Sequence, residues 1–299
     1  MGLVPIDQYT GQIWWNGQFI EWSKACVHVL THSLHYGGAV FEGIRVYNGV
    51  AFKLYEHLQR LEASATSALL KVPFDINTLG QQINEVIRLN NIKNGYIRPV
   101  AWLGSEEMFV GATKCKTHVA IAGWPSFEQY DIEKLKQGYK MTIAKWKKIP
   151  AACMPVHSKL AASYLMYRIV QAEAREEGFD DAIMLNIDAN ITESSTSNFF
   201  AVVNGSLHTP STGDFLDGIT RRTIIELAKQ HGIKVIEEPM KVENLKQADG
   251  AFLTGTAIEI MPITSIYDYR NGGAIYAFNP VHPLVLSLLG YYREMVNAE

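Results

Sequence analysis

The chain has 299 residues, 47% hydrophobic and 19% charged, with 27 Lys+Arg against 30 Asp+Glu and a formal net charge of −3. That balance suits a globular protein of one large or two ordinary domains, and it offers neither the basic runs that track nucleic acid nor an apolar run of the roughly 18 residues that span a bilayer. No basic stretch precedes an apolar core near Met1, so no signal peptide is expected, and Cys26, Cys115 and Cys153, odd in number and widely spaced, suit a reducing cytosol better than a disulfide framework or a zinc site.

Residues 1–124 read as hairpins alternating with helices. In "IWWNGQFIEW" the pair Asn16-Gly17 sits between two apolar-aromatic runs, which predicts a type I′ hairpin. "VFEGIRVYNGVAFKL" repeats the device with Asn48-Gly49. Leu58, Leu61, Ala65 and Leu69 recur at helical spacing, as do Leu79, Ile83, Val86 and Ile87. Strands "YIRPVAWLG" and "THVAIAGWP" close this half. The polar stretch from Pro125 to Gly138 is punctuated at both ends and is expected to link a small N-terminal domain, 1–124, to a larger C-terminal one, 139–299. That second half opens with the strand "YKMTIAKW". A long apolar-faced helix introduced by Lys159 follows, then the strand "DAIMLNI" and a third Asn-Gly hairpin in "FFAVVNGSLHTP". The helix "TRRTIIELAKQHG", capped by Gly232, leads to strands "IKVIEE" and "GAFLTGTAIEIMPI" and a last helix "HPLVLSLLGYYREMV". Hairpins with segregated helices predict an α+β fold.

Six features carry candidate chemistry, weighed against plain structural alternatives. Lys159 in "MPVHSKLAASYL" is followed by Leu160, Ala161 and Ala162. Such surroundings desolvate an amine, lower its pKa and make it a nucleophile, although a lone lysine more often snorkels to water. Glu193, 34 positions later in "NITESSTSNFF", is either a turn-stabilising carboxylate or an acid that pairs with a protonated ring nitrogen. Gly218, Ile219 and Thr220 open a helix whose free N–H groups suit an anion, unless Thr220 is simply a cap. The small-residue turn from Thr254 to Glu259 can present further N–H groups. Arg60, beside the apolar positions Leu58 and Leu61, is a solvated arginine or a phosphate clamp. Finally, Tyr96 and Arg98 share one face of a strand, as do Phe41, Gly43 and Arg45. An aromatic wall with a buried arginine suits a ligand apolar at one end and carboxylate at the other, with ordinary sheet packing as the alternative.

Together, "HYGGAVFEGIR", "HLQRL", "YIRP", "MPVHSKLAASYL", "ITESSTSNFF", "DGITRRTIIELA" and "TGTAIEIMPI" run in one order across nearly the whole chain. The set resembles the branched-chain amino acid aminotransferases of the class IV, fold type IV group. The resemblance implies two mixed α/β domains with pyridoxal 5′-phosphate between them. It also implies reversible transamination between L-leucine, L-isoleucine or L-valine and 2-oxoglutarate. Lys159 matches the family's Schiff-base lysine, Tyr164 the tyrosine on the ring hydroxyl and Glu193 the ring-nitrogen partner. Arg60, Ile219, Thr220 and Thr256 match the phosphate site. Tyr36, Phe41, Tyr96, Arg98, Tyr130 and the Thr256-Ala257 turn match the substrate pocket. In the family, Tyr36 and the segment around Met108 and Val110 reach a neighbouring subunit's site, which implies a homodimer or higher oligomer.

Two departures stand close to the cofactor residues. Where the branched-chain enzymes usually read Gly-x-Gly-Glu-Asn after the glutamate, this chain reads Ser194-Ser195-Thr196-Ser197-Asn198, a run more like the D-amino acid aminotransferases of the same fold. His157 and Ser158 are bulkier or more polar than the usual pair before the lysine. A D-amino acid aminotransferase, and behind it an aminodeoxychorismate-type lyase, are the alternative activities.

Overall fold

The computed structural model describes residues 5–125 and 132–298. These fall into two compact units, one of 5–125 with Ser158–Ser163, the other of 132–157 with 164–298. The short segment that carries Lys159 thus belongs to the first unit, although the chain on either side of it belongs to the second.

The described strands of the first unit are β1 (Gln12–Trp15), β2 (Gln18–Glu21), β3 (Ala39–Phe41), β4 (Ile44–Tyr47), β5 (Val50–Ala51), β6 (Gly95–Leu103) and β7 (Thr117–Pro125). They form one antiparallel sheet in the order β2-β1-β7-β6-β4-β5, with β3 also paired to β6. Both expected hairpins turn through left-handed Asn-Gly pairs: φ is 49° and 95° at Asn16 and Gly17, and 50° and 88° at Asn48 and Gly49. Those are the positive values a type I′ turn requires.

Three helices complete this unit: α1 (His32–Tyr36), α2 (Leu54–Ser67) and α3 (Ile76–Leu89). Asp75 caps α3, its Oδ1 accepting from Thr78 N at 2.7 Å. Leu79, Ile83, Val86 and Ile87 are all buried, as their spacing predicts. Helix α2 likewise buries Leu58, Leu61 and Ala65. Leu69 does not join them. The helix stops at Ser67, Leu69 takes a left-handed φ of 56° and stands 89% exposed, and Leu70 turns inward instead. A helical period cannot show where the helix ends, and beyond the end it no longer governs which way a side chain points.

The second unit contains β8 (Tyr139–Lys147), β9 (Asp181–Leu185), β10 (Asn190–Ser194), β11 (Asn198–Val203), β12 (Ser206–Thr209), β13 (Val235–Glu237), β14 (Met240–Lys241), β15 (Gly250–Gly255), β16 (Glu259–Asp268) and β17 (Ala274–Ala277). Its helices are α4 (Ile132–Gln137), α5 (Tyr164–Glu176), α6 (Ile219–Gln230) and α7 (Pro283–Ala298). Helix α4 lies within the stretch expected to be a linker. The sheet order is β13-β12-β11-β15-β16-β8-β9-β10-β14, and β10 also pairs β11. The path β11-β15-β16-β8-β9-β10 therefore returns to its start as a ring. Strand β8 runs parallel to both β9 and β16. The pair that closes the ring is Glu193 opposite Asn198. The helix after Lys159 begins at Tyr164, five residues later than its sequence pattern predicts, behind a short 3-10 turn at Ala161–Ser163.

Candidate active site

In the first unit a cluster forms around Lys159. The backbone holds that residue from two sides. Its N–H donates to Ser64 Oγ at 2.9 Å, and its carbonyl accepts from Phe41 N at 3.3 Å. Leu160 continues the contact as an antiparallel bridge to Val40. The Lys159 Nζ lies 5.3 Å from the Phe41 ring centroid. Burial, and then the charge of Arg60, hold the amine below the ordinary lysine pKa, with Glu42 opposing. The residue is half-buried as a whole, so the desolvation falls on the amine end. A depressed amine carries less proton at neutral pH and is a better nucleophile.

Arg98 stacks on the same wall, its guanidinium 4.5 Å from the Phe41 ring centroid and 5.5 Å from that of Tyr96. Its buried Nε has no hydrogen-bond partner among the described residues, so a donor remains for a ligand. Gly43 has to be glycine here, because a Cβ would lie 1.7 Å from Tyr96 Oη.

Glu42, fully buried, lies between β3 and β4. It accepts from His57 Nδ1 at 2.7 Å, Arg60 Nε at 2.7 Å, Arg60 Nη2 at 2.9 Å and Gly43 N at 3.3 Å. Burial alone would push its carboxyl pKa up, but Arg60 and His57 outweigh burial and hold it far below the carboxylate range. An ionised carboxylate only accepts, so the proton shared with His57 sits on Nδ1.

The second unit gathers its own group where the strand ring closes. Glu193 is 5% exposed. Its Oε1 accepts from Lys148 Nζ in a close ion pair, and its Oε2 accepts from Asn198 Nδ2 at 3.1 Å. Lys148, only 1% exposed, also donates to Tyr167 Oη at 2.6 Å and rides 4.0 Å over the Tyr167 ring. Desolvation works against the lysine charge, but Glu193 outweighs it and the pKa rises. Asn198 extends the chain of contacts. Its Nδ2 reaches Leu216 O at 2.9 Å, and its Oδ1 stands where a Cβ on Gly218 would come within 2.1 Å. Gly218 is the N-cap of α6 and supplies no side-chain cap, so the N–H groups at Ile219 and Thr220 keep the anion-binding character of an uncapped helix start. Across the sheet Asn198 pairs with Thr254, whose buried Oγ1 has no partner among the described residues. Thr256 and Ala257 form the turn that follows β15. Tyr164 begins α5 with its ring edge-on to Tyr167 at 5.1 Å.

Residues 39–266 match the sequence profile of amino-transferase class IV. The chain belongs to that family. A probable branched-chain-amino-acid aminotransferase of Rickettsia conorii is 42% identical over 296 residues, 99% of each chain. The branched-chain-amino-acid aminotransferase of Escherichia coli K12 is 39% identical over 260 residues, covering 85% of this chain and 84% of that one. Among solved structures, the Escherichia coli branched-chain enzyme aligns at a TM-score of 0.89 and 35% identity, over 97% of this chain and 96% of the other. The branched-chain amino acid aminotransferase of Thermobaculum terrenum, in its PLP-bound holo form, aligns at 0.84 and 30%, over 96% and 94%. The α+β architecture is that of fold type IV.

Within the first unit the class IV chain brings Phe41, Tyr96, Arg98, Arg60 and Lys159 into one cluster. Tyr36 stands apart, 42% exposed and packed on His32 and His35. Within the second unit Glu193 joins the start of α6, with its Ile219 and Thr220, through Asn198. Tyr130 lies outside the described residues. Sequence reading passed over Glu42, His57, Ser64, Lys148, Tyr167 and Asn198. Glu42 left one signal, a carboxylate set inside the apolar run "AVFEGIRV". Lys148 left none, because its partner Glu193 lies 45 positions away.

Proposed function

We propose that Lys159 is the catalytic nucleophile of a branched-chain amino acid transaminase, with Glu193 as the ring-nitrogen partner and Arg60, Ile219, Thr220 and Thr256 as the phosphate site. The enzyme carries out reversible transamination between L-leucine, L-isoleucine or L-valine and 2-oxoglutarate, with pyridoxal 5′-phosphate as cofactor. The desolvated Lys159 amine, pinned through both its backbone groups, is the observation that carries this reading. The remaining groups fit the cofactor: in the first unit an arginine beside the amine, and in the second an uncapped helix start and the Thr254 hydroxyl as donors with the buried Glu193 as acceptor. When bound, the cofactor supplies an electron sink for the substrate Cα carbanion. The Lys159 amine would hold it and would carry the proton at the substrate Cα. Glu193, held by Lys148 and Asn198, would accept from the ring nitrogen. Tyr164 donates to the ring hydroxyl.

The serine-rich run does not require a D-specific pocket. Ser195 Oγ donates to the buried Asp181 Oδ2 at 2.8 Å and accepts from Gln171 at 3.2 Å, and Ser194 N closes a turn on Ser197 O at 2.8 Å. Those serines support the strand ring.

One pocket has to accept both leucine and glutamate. We assign the apolar wall to Phe41 and Tyr96 with Tyr36 contributed by a neighbouring subunit, the α-carboxylate to the Thr256-Ala257 turn, and the glutamate side-chain carboxylate to Arg98 with the Tyr36 and Tyr130 hydroxyls. Arg98→Leu is expected to slow the glutamate half-reaction about 10- to 100-fold, the loss of a charged hydrogen bond, and the leucine half-reaction less than about threefold. Single-turnover kinetics with L-leucine, L-glutamate and D-alanine as separate donors test this. Equal losses for leucine and glutamate would remove Arg98 from side-chain recognition, and D-alanine outrunning L-leucine in the parent protein would overturn the L-branched assignment.

Among the described residues no helix is long and apolar enough to cross a membrane. We place the enzyme in the cytoplasm, where its free thiols stay reduced. We also infer a homodimer. Val29, Leu34, Phe109 and Val110 stand 67%, 64%, 55% and 76% exposed, and His32 Nε2 bonds Phe109 O at 3.1 Å to hold the two segments together. Such a patch is costly on a lone chain. Sedimentation at micromolar protein is expected to give twice the chain mass or a multiple of it, and a stable monomer there would refute the assignment.

A further inference from the structure

One face of helix α2 holds three residues that reach from the helix into the protein in series: His57, Arg60 and Ser64. At spacings of three and four they line one side of the helix. Ser64 takes the Lys159 amide, while His57 and Arg60 both take Glu42. Opposite them, two successive residues divide the same work: Phe41 N reaches the Lys159 carbonyl and Glu42 reaches Arg60 and His57.

The Glu42–Arg60 contact is bidentate, with Nε on one oxygen and Nη2 on the other. A bidentate pair fixes the plane of a guanidinium as well as its distance. With four donors on one carboxylate and no solvent access, Glu42 has no lone pair to offer a substrate proton. It is unsuited to acid–base work and well suited to holding a cation. Arg60 and His57 hold its carboxyl below the usual carboxylate range despite complete burial, which suits a group that holds a cation.

We infer that Glu42 is a positioning residue that sets Arg60 for the phosphate of the cofactor, so that part of the affinity for that phosphate resides in a carboxylate that never touches it. The inference rests on the assignment of Arg60 to the phosphate site. Its signature is selectivity. A residue acting through Arg60 matters for a phosphorylated ligand and not for the same ligand without phosphate.

The test uses the apo form of the full chain, titrated by absorbance with pyridoxal 5′-phosphate and, separately, with pyridoxal. Glu42→Gln is expected to weaken the phosphorylated ligand about 10- to 100-fold and pyridoxal less than about threefold. Glu42→Asp keeps the charge but withdraws it, and is expected to show the same selectivity at smaller size, which covers a Glu42→Gln protein that fails to fold. Arg60→Gln is expected to match Glu42→Gln, and the double variant to be no weaker than Arg60→Gln alone. Loss of both ligands in equal proportion, no loss of either, or additive losses in the double variant would overturn the role of Glu42. An Arg60→Gln protein that treats the two ligands as the parent does would instead overturn the assignment of Arg60 itself.

Discussion

Lys159→Ala is expected to remove the absorbance band of the lysine-bound cofactor, while the protein can still hold the cofactor non-covalently, and to lower turnover on the order of 10⁴-fold or more, the scale on which a lost nucleophile is felt. Borohydride then fixes no cofactor to the chain, whereas in the parent it does. Covalent fixation in the Lys159→Ala protein would move the role to another lysine. A second consequence concerns stability. The amine at Lys159 lies below the ordinary lysine value of 10.5. Between its folded pKa and 10.5 the unfolded chain binds more proton than the folded one, so stability rises with pH across that window. Below it the penalty is complete. Lys159→Met removes the penalty, so the apo form of that variant is expected to melt above the parent at pH 7, and the gain to vanish as the pH nears 10.5. Thermal melts of both apo proteins across pH check the sign. A parent that melts higher at neutral pH would show that the amine is not desolvated.

Glu193→Gln is expected to slow proton removal at the substrate Cα about 10²- to 10³-fold, the usual cost of removing one preorganised electrostatic partner. Folding is affected as well, because Lys148, 1% exposed, then stays buried without a counter-charge. Breaking one side of a buried pair costs about 3–5 kcal/mol. The two effects separate in a double variant. Lys148→Met with Glu193→Gln has no unpaired charge, so its melting temperature is expected to recover most of the loss while its rate stays low. Stopped-flow rates with L-leucine and thermal melts on the parent and the two variants decide the matter. A Glu193→Gln rate within about threefold of the parent, less than about 1 kcal/mol of barrier, would remove the ring-nitrogen role.

Both pairings behind these results show what the sequence carried and what it did not. Asn-Gly pairs write their own backbone angles, so the hairpins at Asn16 and Asn48 were legible residue by residue. The 3.6-residue period made α3 legible for the same reason: the signal is local. Lys159 and Glu193 could be singled out because their neighbours were unusual for charged residues. Their partners could not. Glu42 finds Arg60 18 positions away, and Lys148 finds Glu193 45 positions away. The sheet order brings Lys148 to Glu193 and the packing of α2 brings Arg60 to Glu42, and no local propensity encodes either. Helix ends fall in the same class. Leu69 keeps the spacing of a core residue two residues after the helix has stopped, and the helix expected at Lys159 starts at Tyr164 because the lysine segment is first used as a bridge to β3.

That borrowed segment bears on how such a chain can be recombined. Ser158–Ser163 sits in the sequence among residues of the second unit yet packs with the first. A crossover between two relatives near residue 128 would therefore not exchange intact halves. It would leave one parent's Val40, Phe41 and Ser64 to receive the other parent's Lys159 and Leu160. Chimaeras cut there inherit the nucleophile from one ancestor and its backbone supports from another. Those that also carry 158–163 from the first parent are the ones expected to keep both in register.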